Sequence, residues 1–179
     1  MPSNKSIKRS LALIENDESK ILGLSVGTHR NVQPGQYIPK ADAQSAPELS
    51  FKLPDPTSTY IIVNLDLDGP FPSLNALSPI MHWIQPGLKP TATDTDNYTL
   101  EVTAPFVVNY IGPGPPPGSS PHRYVFFLYE QPAGFDGSRY APPHGKDMGI
   151  WPRLRYDLDK WEEETKLGPV VAVNYFTSN

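Results

Sequence analysis

The sequence predicts a mainly β, antiparallel fold with a short N-terminal helix and one late helix. Three observations point there. Proline is abundant, 22 residues against 13 glycines in a chain of 179, which disfavours long helices and favours short strands joined by rigid turns. Two segments, Thr59 to Asp68 and His122 to Glu130, are rich in β-branched and aromatic residues. A single stretch near the C-terminus, "YDLDKWEEETKL", carries the helical period together with a cap and a stop.

In chain order, Ile7 to Asn16 reads as a short helix, with Ile7, Leu11 and Ile14 near one face. Ile21 to Thr28 reads as a strand, Asn31 to Pro47 as a proline-interrupted loop, and Leu49 to Leu53 as a brief strand. Thr59 to Asp68 is the clearest strand. Ile61, Val63, Leu65 and Leu67 share its core face, while Ile62, Asn64, Asp66 and Asp68 share the other. Met81 to Gln85, Tyr98 to Ala104 and Phe106 to Ile111 are further short strands, and His122 to Glu130 is a strong one. Tyr156 to Leu167 is the late helix, capped by Asp157 and stopped at Gly168-Pro169. Val170 to Phe176 is the last strand.

The length suits one domain, expected over residues 1–179. The net charge of −4 argues against a broad nucleic-acid surface. There is no cysteine, hence no disulfide and no thiol chemistry. The apolar run Leu11 to Ile14 is too short for a signal segment, and no run nears the roughly 18 residues of a membrane span. A cytoplasmic protein is the expectation.

Candidate chemistry gathers at four places. Gly112 to Gly118 consists only of glycine and proline. It is either a plain surface connection or a stiff wall whose N–H groups, from Gly112, Gly114, Gly118, Ser119 and Ser120, nest an anion. Pro113 to Pro116 also fits a polyproline ligand, a scaffold reading that requires an exposed, mobile loop. His122 and Tyr124 project to one side of their strand and Arg123 to the other. Asp66 and Asp68 end a strand before Gly69-Pro70, either as turn caps or with one carboxylate orienting a histidine. His82, among apolar neighbours, is a core histidine or a site residue. Two histidines and an aspartate can hold zinc, but no tight ligand spacing supports it, so neither metal nor cofactor is expected. There is no nucleophile elbow.

The segments "LDLDGP" at 65–70, "MHWI" at 81–84, "YIGPGPPPGSSPHRYVFFLYEQ" at 110–131 and "YDLDKWEEETKLGPVVAVNYF" at 156–176 together resemble the phosphatidylethanolamine-binding protein family, which includes Raf kinase inhibitor proteins and yeast-type carboxypeptidase Y inhibitors. "VQPGQYIP" and "APELSF" fit its earlier segments, so the resemblance spans nearly the whole chain. It implies a Greek-key antiparallel β-sandwich and a pocket for phosphate, phosphoethanolamine or carboxylate groups. The pocket residues it implies are Asp66, Asp68, Pro70, His82, Gly114, Pro116, His122 and Tyr124. Three positions depart from the family pattern: Leu67 replaces a usual proline, Gly69 a frequent alanine, and Ile80 a frequent aromatic. The apolar segment 69–81 then reads as a rim able to admit a hydrophobic ligand body.

Bare carboxylates repel a phosphate, so anion binding requires protonated histidines, a shared proton or loop N–H groups, and is expected to strengthen from about pH 8 to about pH 6. The partners implied are a small anionic or amphipathic ligand and a protease or kinase target. The alternative class is an enzyme that uses His122, His82, Asp66 and Tyr124 for cyclisation or isomerisation of a hydrophobic substrate.

Overall fold

The computed structural model describes residues 4–52, 55–93 and 97–179. It is mainly β. The strands are β1 (Gly23–Ser25), β2 (Gln36–Tyr37), β3 (Glu48–Phe51), β4 (Tyr60–Asp66), β5 (Ile80–Ala92), β6 (Tyr98–Val102), β7 (His122–Glu130) and β8 (Ala172–Ser178), and the helices are α1 (Lys5–Asn16) and α2 (Leu158–Thr165). They join in one sheet of order β1-β3-β6-β5-β4-β7-β8-β2. Every named pair is antiparallel except β2 with β8, which is parallel. The hydrogen-bond ladder runs through all eight named strands.

The sheet curls until the chain next to β1 reaches β8. Leu22 N–H donates to Val173 O at 2.9 Å, and Asn174 Nδ2 on β8 donates to both Leu22 O and Val32 O. Curling makes two cores. Tyr60, Ile62, Trp83, Tyr124, Phe126 and Phe176 fill the interior, while Ile61, Val63, Leu65, Met81 and Val125 pack outward with residues of α1 and α2. β4 is therefore buried along its whole length on both faces. The four residues expected in the core are there, and the opposite face is buried as well.

Several predicted elements change. β5 runs for 13 residues through Pro86 and Pro90, where a five-residue strand was expected. β6 stops at Val102, and 106–111 forms no strand, only the bridge Ile84–Val108. The loop expected at 31–47 contains β2 and a 3-10 turn at Lys40–Ala43. Leu53, the expected end of the strand now seen as β3, lies outside the described residues. α2 is capped as expected, Asp157 accepting from Lys160 N–H, but it ends at Lys166 in the left-handed conformation, ahead of Gly168. α1 is capped across space: Asp159 of α2 accepts from the Lys5 and Ser6 N–H groups, placing negative charge at the positive end of the helix. Among the described residues no helix is long and apolar enough to cross a membrane.

Candidate functional site

β4 and β7 place the central acid and base. In their ladder Asp66 lies opposite Tyr124. His122, one pleat further along β7, turns to the same side as Tyr124, and its Nδ1–H donates to Asp66 Oδ2 at 2.8 Å. The other Asp66 oxygen accepts the Asp68 N–H at 2.8 Å. On the far side of the ring, Nε2 meets Ser119 Oγ at 2.9 Å, and that hydroxyl also reaches Ser120 O. His122 is only 1% exposed and Asp66 only 4%, so the carboxylate locks the histidine inside the protein.

His82 arrives by an irregularity of β5. Asn64 pairs with Trp83 and Leu65 with Met81, so two steps on β5 face one on β4. His82 is the extra residue, and such a bulge re-aims a side chain. Its Nδ1–H donates to Ile111 O at 2.8 Å. Burial, only partly opposed by the Asp66 charge, lowers its pKa and favours the neutral ring. The His82 and Tyr124 rings meet edge-on with centroids 5.1 Å apart, and Tyr124 stacks on Phe176.

The Tyr124 hydroxyl lies near both Asp66 and the Gly114 N–H but makes no hydrogen bond of good geometry. Burial first, then the adjacent Asp66 charge, raises its pKa, and the Gly114 N–H lies close by. A buried hydroxyl without a partner is costly, which sets this atom apart from the other polar groups of the cluster.

The Gly/Pro segment is anchored at the site. Pro113 and Pro115 are buried and Pro113 O accepts from Gln44 Nε2. The exposed loop required by a polyproline ligand is not what the fold presents. Pro116 O accepts the Ser119 N–H at 3.1 Å in the turn that aims Ser119 at His122. That donor is spent, which removes one of the N–H groups expected in the nest. Space around Gly114 is open.

Asp68 does not share the direction of Asp66. The strand ends at Asp66, and beyond it Asp68 turns to Arg123, accepting from its N–H, Nε and Nη2 at 2.7 to 2.9 Å. Burial opposes its ionisation, but the Arg123 bonds outweigh that and hold Asp68 below the usual carboxylate range. Pro70 follows a cis bond from Gly69 and is half-buried. Two departures noted in the sequence touch each other here: a Cβ on Gly69 would fall 2.3 Å from Ile80 Cδ1. The isoleucine fills the space that an alanine methyl needs.

Sequence reasoning missed Arg153. It is 1% exposed and makes no ion pair among the described residues. Instead it donates to Met81 O, His82 O, Asn109 O, Asn109 Oδ1 and Met148 O. It thereby bonds main-chain carbonyls at the bulge and ties them to Asn109, in the segment leading into the Gly/Pro loop. An arginine in an ordinary 3-10 turn carries no sequence signal of such a role. Ser119 was missed as a side chain for the same reason.

A family profile described as "Phosphatidylethanolamine-binding protein" matches residues 28–176. The chain is similar to the carboxypeptidase Y inhibitor of Saccharomyces cerevisiae, 27% identical over 88% of this chain and 83% of that protein. It is also similar to the phomoidride biosynthesis cluster protein N of a fungal species, 27% identical over 90% of this chain and 66% of that protein. Among solved structures it resembles that of carboxypeptidase Y inhibitor complexed with the cognate proteinase, with TM-score 0.74 and 28% identity over 97% of this chain and 93% of the other. A phosphatidylethanolamine-binding protein from Plasmodium vivax shares the fold at TM-score 0.64 and 17% identity, over 99% of this chain and 98% of that one.

Proposed function

Because the chain belongs to the phosphatidylethanolamine-binding protein family, we propose that it is a binding protein. It holds a small phosphate or carboxylate head group at His82, His122, Tyr124 and Gly114, and it inhibits a peptidase. The observation that carries the head-group reading is the buried, unpartnered Tyr124 hydroxyl beside the Gly114 N–H. Asp66 serves to fix His122, so its charge is already engaged and does not face the ligand alone. Asp68 and Pro70 support the turn that carries Asp66. Titration with inorganic phosphate and with O-phosphoethanolamine, followed by NMR, tests this. Saturable shifts at Gly114 and Tyr124, lost in His122→Ala and in Tyr124→Phe, are expected; shifts that persist in both variants reject the site.

The peptidase target rests on similarity to a carboxypeptidase Y inhibitor along nearly the whole chain; nothing comparable favours a kinase. Residual hydrolysis by carboxypeptidase Y in the presence of increasing protein measures it, and undiminished activity at micromolar protein rejects that enzyme as the target.

A second reading is supported by the similarity to a biosynthesis-cluster protein. In it, the His122–Asp66 pair, His82 and Tyr124 move or hold protons on a hydrophobic substrate during cyclisation or isomerisation. Mass spectrometry of small molecules that co-purify from the native host separates the two: a phosphorylated head group supports binding, and a polyketide-like or terpenoid-like molecule supports catalysis.

A further inference from the structure

On the outer face of the sheet, between α1 and the 67–79 segment, lies a groove of about 400 Å³, a volume within the range of small-molecule sites. Its apolar lining comes from Ile7, Leu11, Leu67 and Pro79. Lys5, Lys8 and Arg123 stand around it. Leu67 is the residue that departs from the family's proline, and the 69–81 segment adds Asn75, Ser78 and Pro79 to the lining. Ile7 and Leu67 belong to the outer core and Tyr124 to the inner one, so the groove and the Tyr124 cluster lie on opposite faces of the sheet.

The charges facing the groove are unequal. The Asp68 carboxylate is consumed by Arg123. Asp159 is consumed by the first N–H groups of α1. Lys5 and Lys8 are exposed and their ammonium groups make no ion pair among the described residues. With the helix start already capped by Asp159, the free positive charge at the groove is that of the two lysine ammonium groups, in a chain of net charge −4. An apolar trough with a cationic mouth is complementary to one class of molecule.

We propose that this groove binds a single-chain amphipathic anion, its alkyl chain along Leu11 and Leu67 and its carboxylate or phosphate head at Lys5 and Lys8. This is a second site, independent of the Tyr124 head-group site and requiring nothing from it. Arg123 stays on Asp68 and flanks the chain.

The test is calorimetric titration of the full chain with dodecanoate and with dodecyl phosphate below their micellar concentrations, with dodecanol as the uncharged control. Both anions are expected to saturate at one site and dodecanol to bind more weakly. The Lys5→Glu/Lys8→Glu variant is expected to lose roughly tenfold in affinity for the anions, with little change for dodecanol. Its melting temperature is expected to hold, since both residues are exposed and acidic residues suit a helix start. His122→Ala is expected to keep dodecanoate binding while losing the phosphate shifts, which separates the two sites. Non-saturable uptake, unchanged affinity in the charge-reversed variant, or loss of dodecanoate in His122→Ala each overturns the proposal; the dodecyl phosphate arm decides which head group the groove prefers.

Discussion

Two acid–base pairs sit side by side at the end of β4, and they belong to different environments. His122–Asp66 has side chains 1% and 5% exposed, whereas Arg123–Asp68 joins a 7% exposed carboxylate to a 45% exposed guanidinium. Consecutive residues of β7 supply the two bases, so the pleat alone sends one inward and the other outward. The inward pair combines a titratable base with a neighbouring hydroxyl and a second histidine. The outward pair combines a permanent cation with solvent. The first is sealed inside the protein; the second serves as a fastener for the turn beyond β4.

The largest effect should come from breaking the sealed pair. Asp66→Ala leaves His122 buried without its acceptor and frees the Asp68 N–H, and a buried pair deprived of one partner loses about 3–5 kcal/mol. Chemical denaturation measures this, and a loss below about 1 kcal/mol would show the pair is not sealed. Arg153→Met comes next. It strands carbonyls of the His82 bulge, with an expected loss of about 3 kcal/mol and weakened phosphate binding even under conditions where the variant remains folded. Arg123→Ala should cost about 1 kcal/mol, because nearly half of the side chain is solvated and screened. A cost equal to that of Asp66→Ala would erase the contrast between the pairs.

The smallest effect is a pH dependence. Burial lowers the His82 pKa below its ordinary 6.5, so the unfolded chain binds this proton more readily than the folded one. The sign follows: the His82 contribution to stability is complete above the ordinary histidine value and is lost as pH falls below 6.5 toward the folded pKa. Any gain in anion affinity from His82 protonation also belongs below 6.5. Denaturation midpoints and phosphate affinity, each measured in wild type and His82→Gln, check both statements. An unchanged acid limb in His82→Gln counts against them.

Much of this was readable beforehand. β7 was predicted with its observed bounds, because nine residues of β-forming type stand between proline-rich breaks. The sides taken by His122, Arg123 and Tyr124 followed from the strand period. β5 was not readable: Pro86, Gly87 and Pro90 argue against a strand, yet the ladder to β4 and β6 carries the chain through them. Asp68 was misdirected because a period-2 reading was extended two residues beyond the strand's end. Arg153 left no trace, since its five acceptors come from residues distant in sequence or from main chain.

The sequence alone determined what is local: the β class, the caps of α2, the alternation along β4 and β7, and the set of residues able to do acid–base or anion chemistry. Only the tertiary structure decided which of them meet. The curl of the sheet buried both faces of β4, the bulge in β5 turned His82 toward Tyr124, and the bend after Asp66 gave Asp68 to Arg123. Strand periodicity is a property of neighbouring backbone units and survives in any context. Curl, bulge and bend arise from pairing between segments tens of residues apart, for which no short stretch of sequence carries the geometry.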